Sequence, residues 1–176
     1  MLRHIHVIPR GGHRGLLVAG PLRLPVALGR SGVVGRNAKK EGDGGTPRGT
    51  LPLRGLWYRP DKVRPPRTRL PHRAIRPDDL WCDAPGDRNY NRPVTAPYPA
   101  SHEKLWRDDD VYDFVVELGW NDRPRFQGRG SAIFMHLARS DGLAGFKPTE
   151  GCVALRRQDM EKLLPLLGPE TVMVVR

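Results

Sequence analysis

Short runs of hydrophobic residues, some of them alternating with polar ones, are spaced along the chain and are typical of β-strands. The runs richest in β-branched and aromatic residues should be buried strands, because such side chains fit a pleated surface. The predicted strands cover residues 15–19, 22–28, 55–58, 112–118, 131–136 and 171–175. Pro25 is expected at a sheet edge, since proline lacks the backbone N–H that an interior strand donates.

One segment has the spacing of an amphipathic helix. Methionine and leucine recur at helical intervals within residues 158–167, and Pro165 should weaken the last turn. A glycine-rich segment at residues 29–49 is expected to connect strands. Residues 59–102, rich in proline, arginine and aspartate, lack periodicity and are expected to be either a flap over a site or a plain surface loop.

These elements predict a single domain that is mostly β. The chain has 176 residues, enough for one domain with a real core. Its 20 glycines and 18 prolines favour a turn-rich β structure over a helical bundle. We expect residues 1–14 to be an N-terminal extension or an edge strand, and residues 15–176 to form the domain.

The formal charge of +11, from 30 Lys and Arg against 19 Asp and Glu, would attract polyanions. However, the sequence has no zinc-finger spacing, no RNA-binding aromatic run and no helix with a basic face, so we expect no specific nucleic-acid partner. No apolar stretch approaches the ~20 residues that span a bilayer, which predicts no transmembrane segment. The first residues show no apolar run typical of a signal peptide.

The candidate chemistry lies in two segments. His136 closes a predicted strand, and Cys152 follows Gly151 in a loop sixteen residues later. A thiolate is a nucleophile, and an imidazole can accept the thiol proton. Backbone N–H groups at Gly151 and Cys152 are candidates for oxyanion binding, because glycine lets the backbone approach a substrate closely. The alternative is that Cys152 is a buried structural thiol.

The other cysteine, Cys82, is expected to pack rather than to react, and both thiols are expected to be free. A disulfide between Cys82 and Cys152 would block the proposed nucleophile. The histidines and cysteines lack the spacing of metal ligands. We predict no metal site and no cofactor.

Several motifs resemble one family. Residues 128–136, Gly-Arg-Gly-Ser-Ala-Ile-Phe-Met-His, and residues 149–153, Thr-Glu-Gly-Cys-Val, resemble the catalytic motif of the L,D-transpeptidases, the YkuD-like domain. Residues 40–50 resemble a Gly-Thr-Pro turn of that family, and residues 81–83 and 90–94 resemble a middle segment of one branch. The resemblance covers about residues 15–176. It implies a β-sandwich-like domain with one or two short helices and a long loop or flap.

The chain departs from the family motif at two positions. Glu150 stands where the family usually has a second histidine, and a carboxylate beside a thiol tends to raise the thiol pKa. Ala154 stands where many members have Arg or Asn. Arg156 and Arg157 lie close behind and could supply that donor, or they could be solvated charges at a helix start.

The resemblance implies a cysteine acyltransferase of the periplasm or cell envelope that cross-links peptidoglycan stem peptides. Cys152 would attack a peptide carbonyl, and His136 would be the base. The alternatives are a peptidoglycan-peptide hydrolase, of L,D-carboxypeptidase or amidase type, with the same residue pair, and a non-enzymatic basic module that binds polyanions. Carbapenems acylate many members of this family, but Glu150 alters the motif, so the resemblance leaves acylation of this protein by β-lactams open. The expected substrate contacts are Tyr90, Asn91, Arg129, Glu150 and Arg156.

Overall fold

The computed structural model of the protein describes residues 1–143 and 145–176. Its helical residues form α1, Arg157–Leu163, followed by a 3-10 turn at Leu164–Leu166. The strands are β1 His4–Pro9, β2 Arg14–Ala19, β3 Leu22–Ala27, β4 Val33–Val34, β5 Thr46–Pro47, β6 Gly49–Tyr58, β7 His72–Ala74, β8 Asp79–Cys82, β9 Arg92–Thr95, β10 His102–Lys104, β11 Phe114–Leu118, β12 Phe134–Leu137, β13 Val153–Leu155 and β14 Val172–Val175.

The largest sheet closes into a barrel. Its strands follow the order β11-β12-β13-β3-β2-β1-β14-β6, and β6 pairs back with β11. β7 adds to β6 outside this closed ring. The predicted mostly β class is confirmed. The main sheet is closed, so the two layers of the expected sandwich correspond to opposite sides of one barrel.

Alternating side chains of the barrel strands form the main core. In β1, Ile5 and Val7 are buried, and in β2 the buried residues Leu17 and Ala19 belong to the same cluster. Helix α1 adds Met160 and Leu163 to this core, and the 3-10 turn that follows it adds Leu164. The period-two pattern of the sequence therefore reports which side of each strand faces inward.

Two strands differ from the sequence prediction. The expected strand at residues 55–58 is the second half of β6, whose first half pairs with β14 and contains Pro52, which interrupts the hydrophobic pattern. β1 pairs with β2 on one side and with β14 on the other, so residues 1–14 contain an interior strand of the barrel. Pro25, which is expected at a sheet edge, lies in β3 and pairs with β2. It lies beyond Val26 and Ala27, the two residues of β3 that pair with β13.

The long aperiodic segment contains more structure than the sequence predicted. β8 and β9 lie within residues 59–102 and β10 begins at its last residue, and these three strands form a small sheet in the order β10-β8-β9. They have only three or four residues each, too few to show a clear period. Trp81 of β8 packs edge-to-face on Phe134 of β12, with ring centroids 5.1 Å apart. This contact places the small sheet against the barrel at the end of β12.

Among the described residues, no helix is both long and apolar enough to cross a membrane.

Candidate active site

An open pocket of about 700 Å³ lies between the small sheet and the barrel. His136 and Cys152 both line it, together with Glu103 of β10 and Tyr112, which precedes β11. The glycine-rich segment contributes Glu41. The structure therefore brings the two residues of the sequence motif to one cavity, and adds polar groups from distant parts of the chain.

Strand register explains why His136 and Cys152 face the same side. β12 and β13 are parallel, with Met135 opposite Val153 and His136 opposite Ala154. Met135 and Val153 point into the barrel core. Because side chains alternate along a strand, His136 and the residue just before β13, Cys152, face away from that core and towards the pocket.

The Cys152 thiol is nearly enclosed, with 8% of the residue exposed. Its Sγ accepts a hydrogen bond from the Phe134 N–H at 3.4 Å and donates one to the Ala132 carbonyl at 3.3 Å. Burial raises the pKa of this thiol to about 12, and the negative charges of Glu103 and Glu150 act in the same direction. At pH 7 the Cys152 side chain is therefore a neutral thiol.

The His136 imidazole is held by the backbone. Its Nδ1 lies 2.9 Å from the carbonyl oxygen of Leu137. A carbonyl can only accept, so Nδ1 carries the hydrogen and Nε2 has the free lone pair. Burial lowers the pKa of His136 to about 4, which keeps the ring neutral at pH 7. The Leu137 backbone carbonyl therefore orients the His136 imidazole.

Gly151 has a backbone that only glycine adopts easily, with φ of 140°. A Cβ built there would lie 2.9 Å from the carbonyl oxygen of Gly45 and 3.2 Å from Cδ1 of Ile133. The Gly151 N–H donates to Thr149 Oγ1 at 3.2 Å, and that hydroxyl donates to the Cys152 carbonyl at 2.7 Å. These contacts fix the loop that carries Cys152.

The Gly-Thr-Pro motif contacts the loop that carries Cys152. Thr46 Oγ1 accepts from the Gly29 N–H at 2.8 Å and lies 3.4 Å from the Cys152 carbonyl oxygen. Asp43 accepts from the Gly45 N–H at 2.8 Å and from the buried Lys39 ammonium at 2.6 Å. The two sequence motifs are therefore in direct contact, although more than a hundred residues separate Thr46 from Cys152.

Two expected substrate contacts are buried beneath the pocket. Tyr90 is fully buried, and its hydroxyl donates to Glu41 and accepts from the Gly130 N–H at 3.0 Å. Asn91 Oδ1 accepts from Trp81 Nε1 at 3.0 Å and from the Ala132 N–H at 3.1 Å. Both side chains hold the turn whose Ala132 carbonyl meets the thiol.

The other three expected contacts lie nearer the surface. Glu150 lines the pocket. Arg129 donates to the Asn37 carbonyl at 3.0 Å, and the Arg156 guanidinium lies 5.3 Å from the centre of the Phe146 ring. Among the residues that the structure describes, the pocket lining includes neither Arg129 nor Arg156.

Four polar residues near His136 were not predicted from the sequence. Tyr112, Glu103, Arg107 and Arg139 all line the pocket. Tyr112 begins a predicted strand, but nothing in the sequence marks it as part of a site. The other three lie in or next to irregular segments without a motif, so no local signal could have found them.

An exposed ion pair at the pocket edge joins Arg30 Nε to Glu150 Oε2 at 2.9 Å. We expect Arg30→Gln to slow alkylation of Cys152 by iodoacetamide two- to fivefold, because it leaves the Glu150 charge unpaired near the thiol and exposed pairs are worth at most about 1 kcal/mol. The double variant Arg30→Gln/Glu150→Gln should recover the wild-type rate. Peptide mapping separates Cys152 from Cys82, and an unchanged rate in Arg30→Gln would show that this charge does not reach the thiol.

Comparison with known proteins agrees with this geometry. The family model of the L,D-transpeptidase catalytic domain, YkuD, matches residues 11–175, nearly the whole chain. Searches of curated proteins and of solved structures give no match. The matched region contains both sequence motifs, the small sheet and the pocket. The chain therefore belongs to the YkuD family of L,D-transpeptidase catalytic domains.

Proposed function

We propose that the protein is an L,D-transpeptidase that cross-links peptidoglycan stem peptides through a thioacyl-enzyme on Cys152, in the cell envelope or periplasm. The family acts on peptidoglycan peptides and is typically associated with the cell envelope. The observation that carries the proposal is the shared pocket of His136 and Cys152, in which the bond from His136 Nδ1 to a carbonyl leaves Nε2 as the acceptor.

In the first half-reaction, the thiol turns from the Ala132 carbonyl towards His136, and Nε2 takes its proton. Sγ attacks the carbonyl carbon of the donor stem and forms the C–S bond. The C–N bond to the terminal D-amino acid then breaks, and the leaving amine receives the proton from the imidazolium. The stem remains attached to Cys152 as a thioester.

In the second half-reaction, the amine of a neighbouring stem attacks this thioester. The new C–N bond forms, the C–S bond breaks, and the proton of the amine passes through His136 Nε2 to the Cys152 sulfur. The starting enzyme is regenerated. The neutral Cys152 thiol and the neutral His136 imidazole suit this cycle, because the first half-reaction then does not begin by breaking a stable ion pair.

Backbone N–H groups at Gly151 and Cys152 are our candidates for holding the oxyanion of each tetrahedral intermediate. The Gly151 N–H already donates to Thr149 at 3.2 Å, a long bond that the oxyanion would have to replace. Of the predicted substrate contacts we retain Glu150, which lines the pocket. For Tyr90 and Asn91 we now propose a scaffolding role instead.

A hydrolase would use the same first half-reaction, with water in place of the acceptor amine. The pocket is open, so water can enter it, and the shared chemistry makes this the second candidate function.

A carbapenem would acylate Cys152 through the same attack, with opening of the β-lactam ring and no leaving group. A non-enzymatic polyanion-binding module would leave the thiol without a role.

The test is incubation of the protein with disaccharide-tetrapeptide and -pentapeptide, with products read by mass spectrometry. We expect cross-linked dimers with the wild type and none with Cys152→Ala. Shortened monomers that depend on Cys152 would move the assignment to a hydrolase. Salt-dependent binding of anionic polymers that is equal in both proteins, without any product, would favour the binding module.

A further inference from the structure

Tyr112 packs directly on the proposed base. Its ring centroid lies 5.3 Å from that of His136, with an interplanar angle of 69°, an edge-to-face arrangement. Only 4% of Tyr112 is exposed, so its ring has little freedom to move. The backbone bond at Nδ1 restrains His136 on one edge, and the Tyr112 ring restrains the imidazole plane.

The orientation of Tyr112 is itself fixed from three directions. Its hydroxyl donates a hydrogen bond to Glu103 Oε1. The Arg107 guanidinium lies 5.2 Å from the centre of its ring, and the Phe134 ring meets it edge-to-face at 6.1 Å. Asp109 holds Arg107 through two hydrogen bonds, at 2.8 and 2.7 Å.

Glu103 comes from a different layer of the fold than the base. It lies in β10 of the small sheet, where it pairs with Trp81 of β8. Trp81 in turn packs on Phe134, two residues before His136. The small sheet therefore contacts the strand that carries His136 directly through the Trp81–Phe134 rings. It reaches His136 indirectly through the hydrogen bond of Glu103 to Tyr112, whose ring packs on the imidazole.

We propose that Tyr112, anchored by Glu103, is the positioning residue of His136, and that the small sheet acts in catalysis by holding this base in its reactive orientation. The inference rests on the proposed function in that His136 is the base. In many enzymes a third polar group binds the base directly, whereas here an aromatic contact transmits the restraint from a carboxylate one residue further away. Neither Tyr112 nor Glu103 exchanges a proton with substrate in this arrangement.

The competing role for Glu103 is binding of a substrate ammonium group, since its carboxylate also lines the pocket. The two roles affect different kinetic constants. Loss of a ground-state contact raises KM, whereas loss of base orientation lowers kcat, because only the transition state needs the aligned lone pair. The kinetic constants of four variants separate the two roles.

We expect Tyr112→Phe to lower kcat about tenfold with KM unchanged, because the ring stays but its anchor is lost. Glu103→Ala should also lower kcat, but by less, because removal of its charge lowers the pKa of the Cys152 thiol. The double variant should lose no more than Tyr112→Phe alone. Glu103→Gln keeps an oxygen that accepts from the Tyr112 hydroxyl, so its kcat should exceed that of Glu103→Ala. Additive losses in the double variant, or equal KM increases in Glu103→Gln and Glu103→Ala with kcat unchanged, would overturn the proposal.

Tyr98→Phe is the matched control. The Tyr98 hydroxyl donates to Asp87 Oδ1 at 2.6 Å beside the same small sheet, and among the described residues the pocket lining does not include Tyr98. Its kcat and KM should match the wild type. A loss equal to that of Tyr112→Phe would overturn the proposal, because it would show that any weakening of the small sheet has this effect.

A second measurement needs no substrate. Alkylation of Cys152 by iodoacetamide at neutral pH should be fastest in the wild type, slower in Tyr112→Phe and slowest in His136→Gln. If the wild type forms no product from stem peptides, the proposed function fails, and the alkylation rates still decide the role of Tyr112. Equal alkylation rates in the wild type and Tyr112→Phe would overturn that role.

Discussion

Replacement of His136 by glutamine is expected to lower turnover at pH 7 by roughly 10²–10⁴-fold, the usual contribution of a general base. The pKa of the Cys152 thiol is raised to about 12, so almost no thiolate exists at neutral pH unless a base removes the proton. The pKa of His136 is lowered to about 4, so the imidazole can accept that proton across the neutral range. Steady-state turnover of a tetrapeptide donor measures the loss.

The pH dependence gives this variant a distinct signature. Without the base, the rate should rise about tenfold per pH unit between pH 7 and pH 10, because only spontaneously formed thiolate reacts and its fraction grows towards the thiol pKa. The wild-type rate should change much less over that range and should fall only as the pH approaches 4, where His136 becomes protonated. A parallel pH profile for both proteins would contradict the role of His136.

His72→Gln is a suitable control for this experiment. The Nδ1 of His72 lies 3.0 Å from the carbonyl oxygen of Leu70, so His72 shares the backbone-bound geometry of His136. It lies in β7 on the outside of the barrel, and the described residues of the pocket lining do not include it. Its turnover should equal that of the wild type at every pH.

Replacement of Gly151 by alanine is expected to lower the free energy of unfolding by roughly 2–5 kcal/mol and turnover by at least about 100-fold. The φ of 140° strains any residue with a Cβ, and the new methyl would meet the Gly45 carbonyl at 2.9 Å. Backbone on both sides must then move, which displaces Cys152. Urea unfolding and turnover on the same preparation measure the two effects.

Gly49→Ala separates the two causes. Gly49 has a similar φ of 145°, but nothing lies within 4 Å of a Cβ built there. Its replacement should cost only the backbone strain, roughly 1–3 kcal/mol, and should leave turnover unchanged at a temperature where the variant is folded. Equal destabilisation in the two variants would mean that the Gly45 contact is not restrictive.

The sequence indicates most barrel strands because their side chains alternate between the core and the outside. It does not indicate closure of the barrel, which depends on pairing of β6 with β11, strands more than fifty residues apart. The small sheet escapes prediction for a different reason. Its strands are only three or four residues long and are fixed by contacts such as the Trp81–Phe134 ring pair rather than by local pattern.

The sequence also indicates the central pair of the site, since His136 and Cys152 belong to motifs with a chemical meaning. It does not distinguish polar residues that face the pocket from those that hold its walls. Tyr90 and Asn91 stand in a motif and lie buried under the site, whereas Tyr112 and Glu103 stand in no motif and line the pocket. This difference depends on which side of a turn or strand faces the cavity, and that orientation is set by tertiary contacts.

The thioacyl-enzyme on Cys152 is tested most directly by the mass of the intact protein, quenched soon after mixing with a tetrapeptide donor in the absence of an acceptor. We expect a covalent adduct equal in mass to the donor minus its terminal amino acid, located on Cys152 by peptide mapping and absent from Cys152→Ala. Product formation by Cys152→Ala at the wild-type rate, or an adduct on another residue, would contradict this expectation.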